Sequence, residues 1–169
     1  IFKSKVDRVD FLNRFETVLT DTKTPCFAWA LTTNHAHFLM RTGKAPLSTV
    51  MHRLHTGYAV GFNLRHRRHG QLFQNRYKSL ICQEDIYLRE LVRYIHLNPL
   101  RSKLVSNISG LNRYKYSGHS ALMEKRQCSW QDKRYVLSCF GKSLSAGRDN
   151  YYAYVKDGLE QGRRLGMTQ

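Results

Sequence analysis

Apolar residues recur at helical spacing in two segments of the first half of the chain. Within 7–19 they stand three or four positions apart, which predicts an amphipathic helix whose N-cap is Asp7. Within 47–66 a second apolar stripe of the same period predicts a longer helix. Each helix has one apolar face, so each is expected to pack against another element.

The stretch between these helices has the pattern of a β-hairpin. Residues 26–31 are apolar and aromatic without regular alternation, which is typical of a buried strand. Residues 32–34 (TTN) have turn chemistry and lead into a second predicted strand over 35–41. A third strand is predicted over 71–82, after the second helix.

The second half of the chain is predicted to be mainly helical. A helix begins at 84–85 and should end before Pro99, because the residue before a proline is pushed away from helical angles. Asn98 would then lie at a frayed helix end, where its side chain has room to turn. Residues 107–120 are predicted to form a loop. Two further helices are expected near 130–139 and 146–164.

Composition narrows the choice of partner. Lys plus Arg is 28 and Asp plus Glu is 12, so the net charge is +16. Such a basic chain attracts nucleic acid, although a ribosomal or membrane-surface protein is an alternative. No apolar run reaches the ~20 residues that span a bilayer, so no membrane insertion is expected. The cysteines form no CxxC pair, and Cys26 and Cys82 are expected to be reduced core residues of a cytosolic protein.

Candidate chemistry is concentrated in two short stretches. His35 and His37 flank Ala36 on the second predicted strand, so both imidazoles share one face and can hold one metal ion. Tyr94 and Asn98 lie four positions apart on one face of the later helix. The strand thus offers two metal ligands, and the helix offers a nucleophile and a third ligand.

This set of residues fits the cleavage of a DNA strand by tyrosine. A phenol has a pKa of ~10 and is a weak nucleophile until it loses its proton. A divalent ion would balance the phosphate charge and stabilise the departing 3′ oxygen. The products would be a 5′-phosphotyrosine and a free 3′ hydroxyl, and the reverse reaction would rejoin DNA without ATP. Each motif alone is a weak signal, because most HxH pairs are ordinary strand histidines and most helix tyrosines only pack.

Three segments carry a resemblance to a known family. They are 33–39 (TNHAHFL), 76–78 (RYK) and 87–101 (YLRELVRYIHLNPLR). In order and spacing they resemble the REP-associated tyrosine transposases, the single-tyrosine branch of the HUH nucleases. The resemblance implies a transposase domain over 1–123, followed by a helical C-terminal extension over 124–169.

The resemblance also implies a fold, an ion and a substrate. The fold would be α+β, an antiparallel sheet flanked by helices and similar to a ferredoxin-like plait, with the family's first strand expected to be missing from this sequence. His35, His37 and Asn98 would bind Mg²⁺ or Mn²⁺, and Tyr94 would be the nucleophile. Two imidazoles are unusual ligands for Mg²⁺, so Mn²⁺ is expected to support activity better. The substrate would be single-stranded DNA that an imperfect palindrome folds into a hairpin.

Basic side chains elsewhere are expected to bind DNA phosphates. The candidates are Arg65, Arg67, Arg68, Arg76, Lys78, Arg101 and Lys115. The tyrosines of 151–154 either clamp the DNA or pack the last helix onto the main domain. The leading interpretation is a strand transferase that acts in DNA transposition. A non-catalytic module that binds hairpin DNA or RNA, and a rolling-circle replication nuclease of the same superfamily, are the alternatives. We expect a monomer or homodimer in the cytoplasm, associated with the nucleoid.

Overall fold

The computed structural model describes residues 1–81 and 85–164, and their architecture is α+β, as predicted. In chain order the elements are α1 (Lys5–Thr22), β1 (Cys26–Leu31), β2 (Ala36–Met40), α2 (Leu47–Arg65), α3 (Asp85–Arg101), α4 (Ile108–Arg113), α5 (Gly118–Leu122), α6 (Lys133–Ser138) and α7 (Leu144–Arg164). Helices cover both faces of the hairpin that β1 and β2 form.

The antiparallel hairpin is where the sequence predicts it. Leu31 pairs with Ala36 beside the turn, and Ala30 pairs with His37. Every residue of β1 is buried, whereas β2 is half-buried along its whole length. The irregular apolar pattern of β1 follows from this burial on both faces, because neither side of the strand needs polar residues.

One face of the hairpin is covered by α1 and α2, which also pack against each other. Apolar side chains of both helices join the hairpin residues Trp29 and Phe38 in a single buried cluster. The Phe15 ring lies 4.2 Å from the Phe38 ring, and the Phe11 ring meets the Tyr58 ring edge-on at 5.0 Å. Tilted and edge-on pairs of this kind are the favoured aromatic arrangements.

The first helix begins earlier than predicted, at a capping box. Ser4 is the N-cap, and its hydroxyl accepts a hydrogen bond from the Asp7 amide at 3.2 Å. The Asp7 carboxylate accepts in turn from the Lys3 and Ser4 amides, each at 2.9 Å. The prediction of Asp7 as the N-cap is therefore wrong. Asp7 is the third helical residue, and its carboxylate reaches back to amides that precede the helix.

The opposite face of the hairpin is covered by α3. Its residues Leu88, Val92 and Ile95 join Phe27 and Leu39 of the hairpin in a second buried cluster. Helices α5, α6 and α7 contribute apolar side chains to the same cluster, so they complete this layer. The predicted helical tail is thus packed onto the layer that contains α3.

The third predicted strand is not formed in the part of 71–82 that the structure describes. Residues 71–81 contain no strand, and only Leu72 and Phe73 pack against the cluster beneath α1 and α2. Leu80 and Ile81 are almost fully exposed. A strand needs another strand to pair its backbone groups, and neither of the described strands pairs with this segment. Cys82 and Glu84 lie outside the described residues.

The predicted end of the third helix is also wrong, because α3 continues through Pro99 to Arg101. The Ser102 amide donates to the Asn98 carbonyl at 2.8 Å, so the hydrogen-bond ladder resumes beyond the proline. A proline inside a helix removes one backbone donor and crowds the preceding turn, which weakens a helix without always ending it. Asn98 therefore lies within the helix and not at a frayed end.

Residues 107–120, predicted to form a loop, contain the two short helices α4 and α5. The side chains of Asn107 and Ser117 accept hydrogen bonds from the Gly110 and His119 amides, and so act as their N-caps. Residues that favour turns also favour helix caps, because in both places the side chain replaces a missing backbone partner. In this segment Asn107 and Ser117 therefore mark the beginnings of helices.

The longest described helix, α7, is fixed by two fully buried residues, Tyr151 and Val155. Tyr152 and Tyr154 are half-buried. Of the two interpretations of 151–154, packing of the last helix is the one that the structure shows. In the part of the chain that is described, no helix combines the length and the hydropathy needed to cross a membrane.

Candidate active site

His35 and His37 lie side by side where β2 begins. Their ring centroids are 6.1 Å apart and the rings are inclined by only 21°. Burial, and secondarily the neighbouring His35, lower the pKa of His37 below its ordinary value. The neutral imidazole is the form that binds a metal ion. The pair therefore presents two adjacent imidazoles, and the surroundings of His37 favour its neutral form.

Tyr94 and Asn98 lie one turn apart on α3. Asn98 is 8% exposed, and its Nδ2 donates to the Tyr94 carbonyl at 3.3 Å. This bond uses the amide nitrogen and leaves the amide oxygen as the atom that can accept from or coordinate a ligand. The Tyr94 ring is 50% exposed, and the Arg101 guanidinium lies 4.7 Å from its centroid. The phenol is thus accessible to a ligand and has a cation beside it.

The histidine pair and α3 lie on the same side of the hairpin. Leu39 packs in the layer of Val92 and Ile95, and α3 contacts β2 directly. Side chains two positions apart on a strand share a face, so His37 belongs to the face of Leu39. The two stretches that the sequence singles out therefore occupy one layer of the fold.

The candidate ligands of this layer would need an anionic substrate to complete a cation site. Among residues 1–81 and 85–164, no three His, Cys, Asp or Glu side chains are grouped so as to hold a metal ion. The candidate set is two imidazoles and the Asn98 amide oxygen, none of which is an anion. A phosphate oxygen would therefore supply the negative charge that a divalent cation prefers. Two imidazole ligands favour Mn²⁺ over Mg²⁺ at such a site.

Most of the basic residues predicted to bind DNA have exposed side chains. These are Arg67, Arg68, Arg76, Lys78, Arg101 and Lys115. Within the described part of the chain, the ion pairs involve other residues. Within the described residues, the positive charges of these six side chains are thus not neutralised by ion pairs with carboxylates.

Arg65 differs from the other six, because it pairs with Asp7 at 2.7 Å and with Asp10 at 2.9 Å. Asp7 is fully buried and also accepts a hydrogen bond from His66 Nε2 at 2.9 Å. Burial by itself would raise the pKa of Asp7, but the bonds from His66, the Lys3 amide and Arg65 outweigh it and lower the pKa to about 2. Arg65 therefore ties α2 to α1, and a DNA phosphate would compete with two carboxylates for it.

A cavity of about 560 Å³ lies between α2 and the segment 71–81. The residues around it include His52, Arg53, His55, Arg76 and Tyr77. The His55 ring stacks on Phe73 at 4.2 Å. The sequence assigned no role to His52 or His55. No local signal could have done so, because the other wall comes from a segment about 20 residues further along.

The structure also contains a buried polar cluster that was not predicted from the sequence. His96 Nδ1 lies 2.7 Å from the Tyr151 hydroxyl, which lies 2.6 Å from His119 Nδ1. His119 Nε2 lies 2.7 Å from the Asn112 amide oxygen. His96 is not among the predicted ligands, and two positions along a helix put it on a different side of α3 from Tyr94. The structure places it at a junction of α3, α4, α5 and α7.

We expect this cluster to make the protein sensitive to mild acid. Burial lowers the pKa of His119 to about 4, against ~6.5 in an unfolded chain. As the pH falls, the unfolded chain takes up this proton first. Stability is therefore fully present above about pH 6.5 and is lost as the pH falls toward 4, by on the order of 3 kcal/mol.

Urea unfolding at several pH values between about 7 and 4.5 measures this loss. His119→Asn, which cannot titrate in this range, should show a flatter dependence of the unfolding free energy on pH. The low pKa of Asp7 affects stability only at lower pH, from about 4 downward, so the two contributions separate. Identical curves for the wild type and His119→Asn would contradict the assignment to His119.

Comparison with known proteins bears on the identity of the chain. A family model described as Transposase IS200 like matches residues 1–98, which is more than half of the 169 residues. That range includes α1, both strands, α2 and α3 as far as Asn98, and hence both halves of the candidate site. Comparisons with curated proteins and with solved structures gave no match. The chain belongs to the IS200-like transposase family.

Proposed function

We propose that this transposase cleaves and rejoins single-stranded DNA through a covalent 5′-phosphotyrosine formed on Tyr94. Membership of the family makes the chain a transposase and DNA its partner. The observation that carries the more specific proposal is the shared layer of the His35–His37 pair and the Tyr94–Asn98 face. A phenol, two imidazoles and an amide oxygen on one side of one hairpin support the proposal.

Tyr94 is suited to attack a phosphodiester. Its oxygen would form a bond to phosphorus while the bond from phosphorus to the 3′ oxygen breaks. The phenolic proton would pass to water, and the 3′ oxygen would take up a proton. Tyr94 is half exposed, so a DNA backbone can reach it, and the nearby Arg101 guanidinium attracts the approaching phosphate. A 3′ hydroxyl can reverse the reaction and rejoin the strands.

His35, His37 and Asn98 would hold Mg²⁺ or Mn²⁺ at this site. When bound, the ion would offset the phosphate charge and stabilise the 3′ oxygen. The low pKa of His37 keeps its imidazole neutral and able to coordinate. The hydrogen bond from Asn98 to the Tyr94 carbonyl holds the third ligand and the nucleophile in one turn of α3.

The substrate that we propose is a hairpin of the kind formed by REP-like palindromes, with single-stranded flanks. The proposal follows the resemblance to the REP-associated tyrosine transposases and is supported by the exposed basic residues of the chain. Arg67, Arg68, Arg76, Lys78 and Lys115 would bind the phosphates. A chromosomal substrate implies a protein that works at the nucleoid, as a monomer or a homodimer.

Detection of the covalent intermediate tests this function. The wild-type protein is incubated with 5′- and 3′-labelled strands of palindromic repeats, with Mn²⁺, with Mg²⁺ and with a chelator. We expect a protein–DNA adduct that survives denaturing electrophoresis and carries the label on the 3′ side of the cut. The other fragment should end in a free 3′ hydroxyl that a polymerase can extend.

The same experiment distinguishes the alternatives. Tight binding of hairpins without an adduct in either metal would favour a module that only binds DNA or RNA. A rolling-circle nuclease would share the adduct, but it would act at a replication origin and not rejoin two repeat ends. A strand-joining assay with two labelled repeats therefore separates transposition from replication chemistry.

A further inference from the structure

We propose that Tyr151 of the C-terminal helix is a positioning residue for Tyr94, acting through a hydrogen bond to His96 on α3. This inference rests on the proposed function of Tyr94 and assigns a role to the C-terminal part of the chain. Tyr151 lies outside the 98 residues that match the family model. The bond crosses between α7 and α3 two residues from Tyr94.

The donor and acceptor of each hydrogen bond in the cluster follow from the last acceptor, the Asn112 side chain. The Asn112 oxygen can only accept, so His119 donates to it from Nε2 at 2.7 Å. A neutral imidazole that donates from one nitrogen accepts at the other, so the Tyr151 hydroxyl donates to His119 Nδ1 at 2.6 Å. The Tyr151 oxygen is then the acceptor for His96 Nδ1, at 2.7 Å. One hydroxyl satisfies both histidines.

The other ring nitrogen of His96, Nε2, is tightly enclosed by its neighbours. Nε2 is buried and has no hydrogen-bond partner among the described residues. A Cβ on Gly118 would come within 2.8 Å of this atom and within 2.7 Å of the Gln131 side chain. Among the described residues, the His96 imidazole thus has a hydrogen bond only with Tyr151. Because Gly118 has no side chain, there is room for the imidazole beside it.

The turn of α3 that carries the candidate site is the turn that most needs support. Pro99 has no amide hydrogen, so the Ile95 carbonyl loses the donor that a helix normally supplies four residues later. Tyr94 directly precedes Ile95, and Asn98 directly precedes Pro99, so both lie next to the missing hydrogen bond. A hydrogen bond from His96 to a different helix fixes α3 at this point from outside.

A second contact holds α3 on the other side of Tyr94 in the sequence. The Arg93 guanidinium lies 3.9 Å from the Tyr154 ring centroid, and Arg93 Nη1 donates to the Tyr154 carbonyl at 3.3 Å. A Cβ on Gly158 would come within 2.6 Å of the Arg93 side chain. Helix α7 therefore contacts α3 at Arg93 and at His96, which bracket the nucleophile.

The test compares Tyr151→Phe with the matched control Tyr152→Phe in the full chain. Tyr151→Phe keeps the buried ring and removes the hydroxyl that bonds to His96. Adduct formation is measured in a single turnover at saturating DNA, well below the melting temperature of each protein. We expect the rate per folded molecule to fall roughly 10- to 100-fold for Tyr151→Phe, because small misplacements of a reacting group have effects of this size. Hairpin affinity should change less than about twofold.

A second pair of variants approaches the same bond from α3. His96→Asn keeps a donor near the position of Nδ1 and should retain most of the rate, whereas His96→Leu has no donor and should lose it. If Tyr151→Phe does not fold, this pair still provides the test. Amide hydrogen exchange gives a reading that does not depend on activity, and it should quicken in the last two turns of α3 in Tyr151→Phe and His96→Leu.

The outcomes separate this inference from the proposed function. If wild type forms no adduct, the proposed function fails, and exchange in α3 alone then decides whether α7 supports this helix. If wild type forms the adduct and folded Tyr151→Phe forms it at the same rate, only the positioning role is overturned. A loss of hairpin affinity that equals the loss of rate would also overturn it, because it would mean that Tyr151 acts by maintaining the binding surface.

Discussion

Tyr94→Phe should form no covalent adduct and cut no DNA, while it folds and binds hairpins almost as the wild type does. The change removes one exposed hydroxyl and leaves the ring in place beside Arg101. The free energy of unfolding should therefore change by less than about 0.5 kcal/mol, as for other surface substitutions. Water is not positioned to replace the phenol, so the rate should fall to that of the uncatalysed reaction.

Tyr87→Phe is the matched control for this experiment. Tyr87 lies two turns earlier on α3, and at 58% its exposure is close to that of Tyr94. It should form the adduct at the wild-type rate. If Tyr87→Phe loses the adduct and Tyr94→Phe keeps it, the tyrosine mechanism holds and the assigned residue is wrong. Peptide mapping of the wild-type adduct then identifies the modified tyrosine directly.

The elements that could be predicted are those that the local pattern determines. The apolar stripe of α2 has helical spacing, and the short unbroken apolar run of β1 is typical of a strand buried on both faces. Both elements were predicted within about a residue. The His35–His37 pair could be predicted for the same reason, because alternation along a strand places the two rings together whatever surrounds them. Tyr94 and Asn98 could be predicted to lie together because residues four apart share one face of any helix.

The features that could not be predicted depend on distant parts of the chain. Segment 71–81 has a strand-like composition, but strand formation requires a pairing partner, which no local pattern reveals. Arg65 lies in a basic run that suggests a phosphate contact, yet α1 supplies it with Asp7 and Asp10. The residues that contact His96 lie on α5 and α7. Its burial therefore depends on how distant helices pack, which no local pattern reveals.

The remaining large effect concerns the histidine pair. His35→Ala and His37→Ala should each reduce metal-dependent cleavage by more than about a hundredfold, since a bound divalent ion contributes several kcal/mol to such a reaction. Of the two, His37→Ala should lose more affinity for Mn²⁺, because the half-buried His37 is held more firmly in place than the exposed His35. Hairpin affinity should stay within a few-fold, since neither ring belongs to the basic residues expected to bind phosphate.

Cleavage rates and Mn²⁺ affinity, the latter by electron paramagnetic resonance, measure the two parts of this expectation separately. His69→Ala is the control, because His69 is exposed in the loop after α2, far along the chain from β2, and should change neither quantity. A His35→Ala or His37→Ala protein that cuts at the normal rate in both metals would remove the pair from the site. Unchanged Mn²⁺ affinity with lost cleavage would instead mean that the imidazoles act on the DNA itself. We expect the histidine variants to lose tight Mn²⁺ binding and cleavage together. We expect Tyr94→Phe to lose cleavage but still bind the ion. These two results would show that the histidine pair binds the metal and that Tyr94 contributes separately, as the nucleophile.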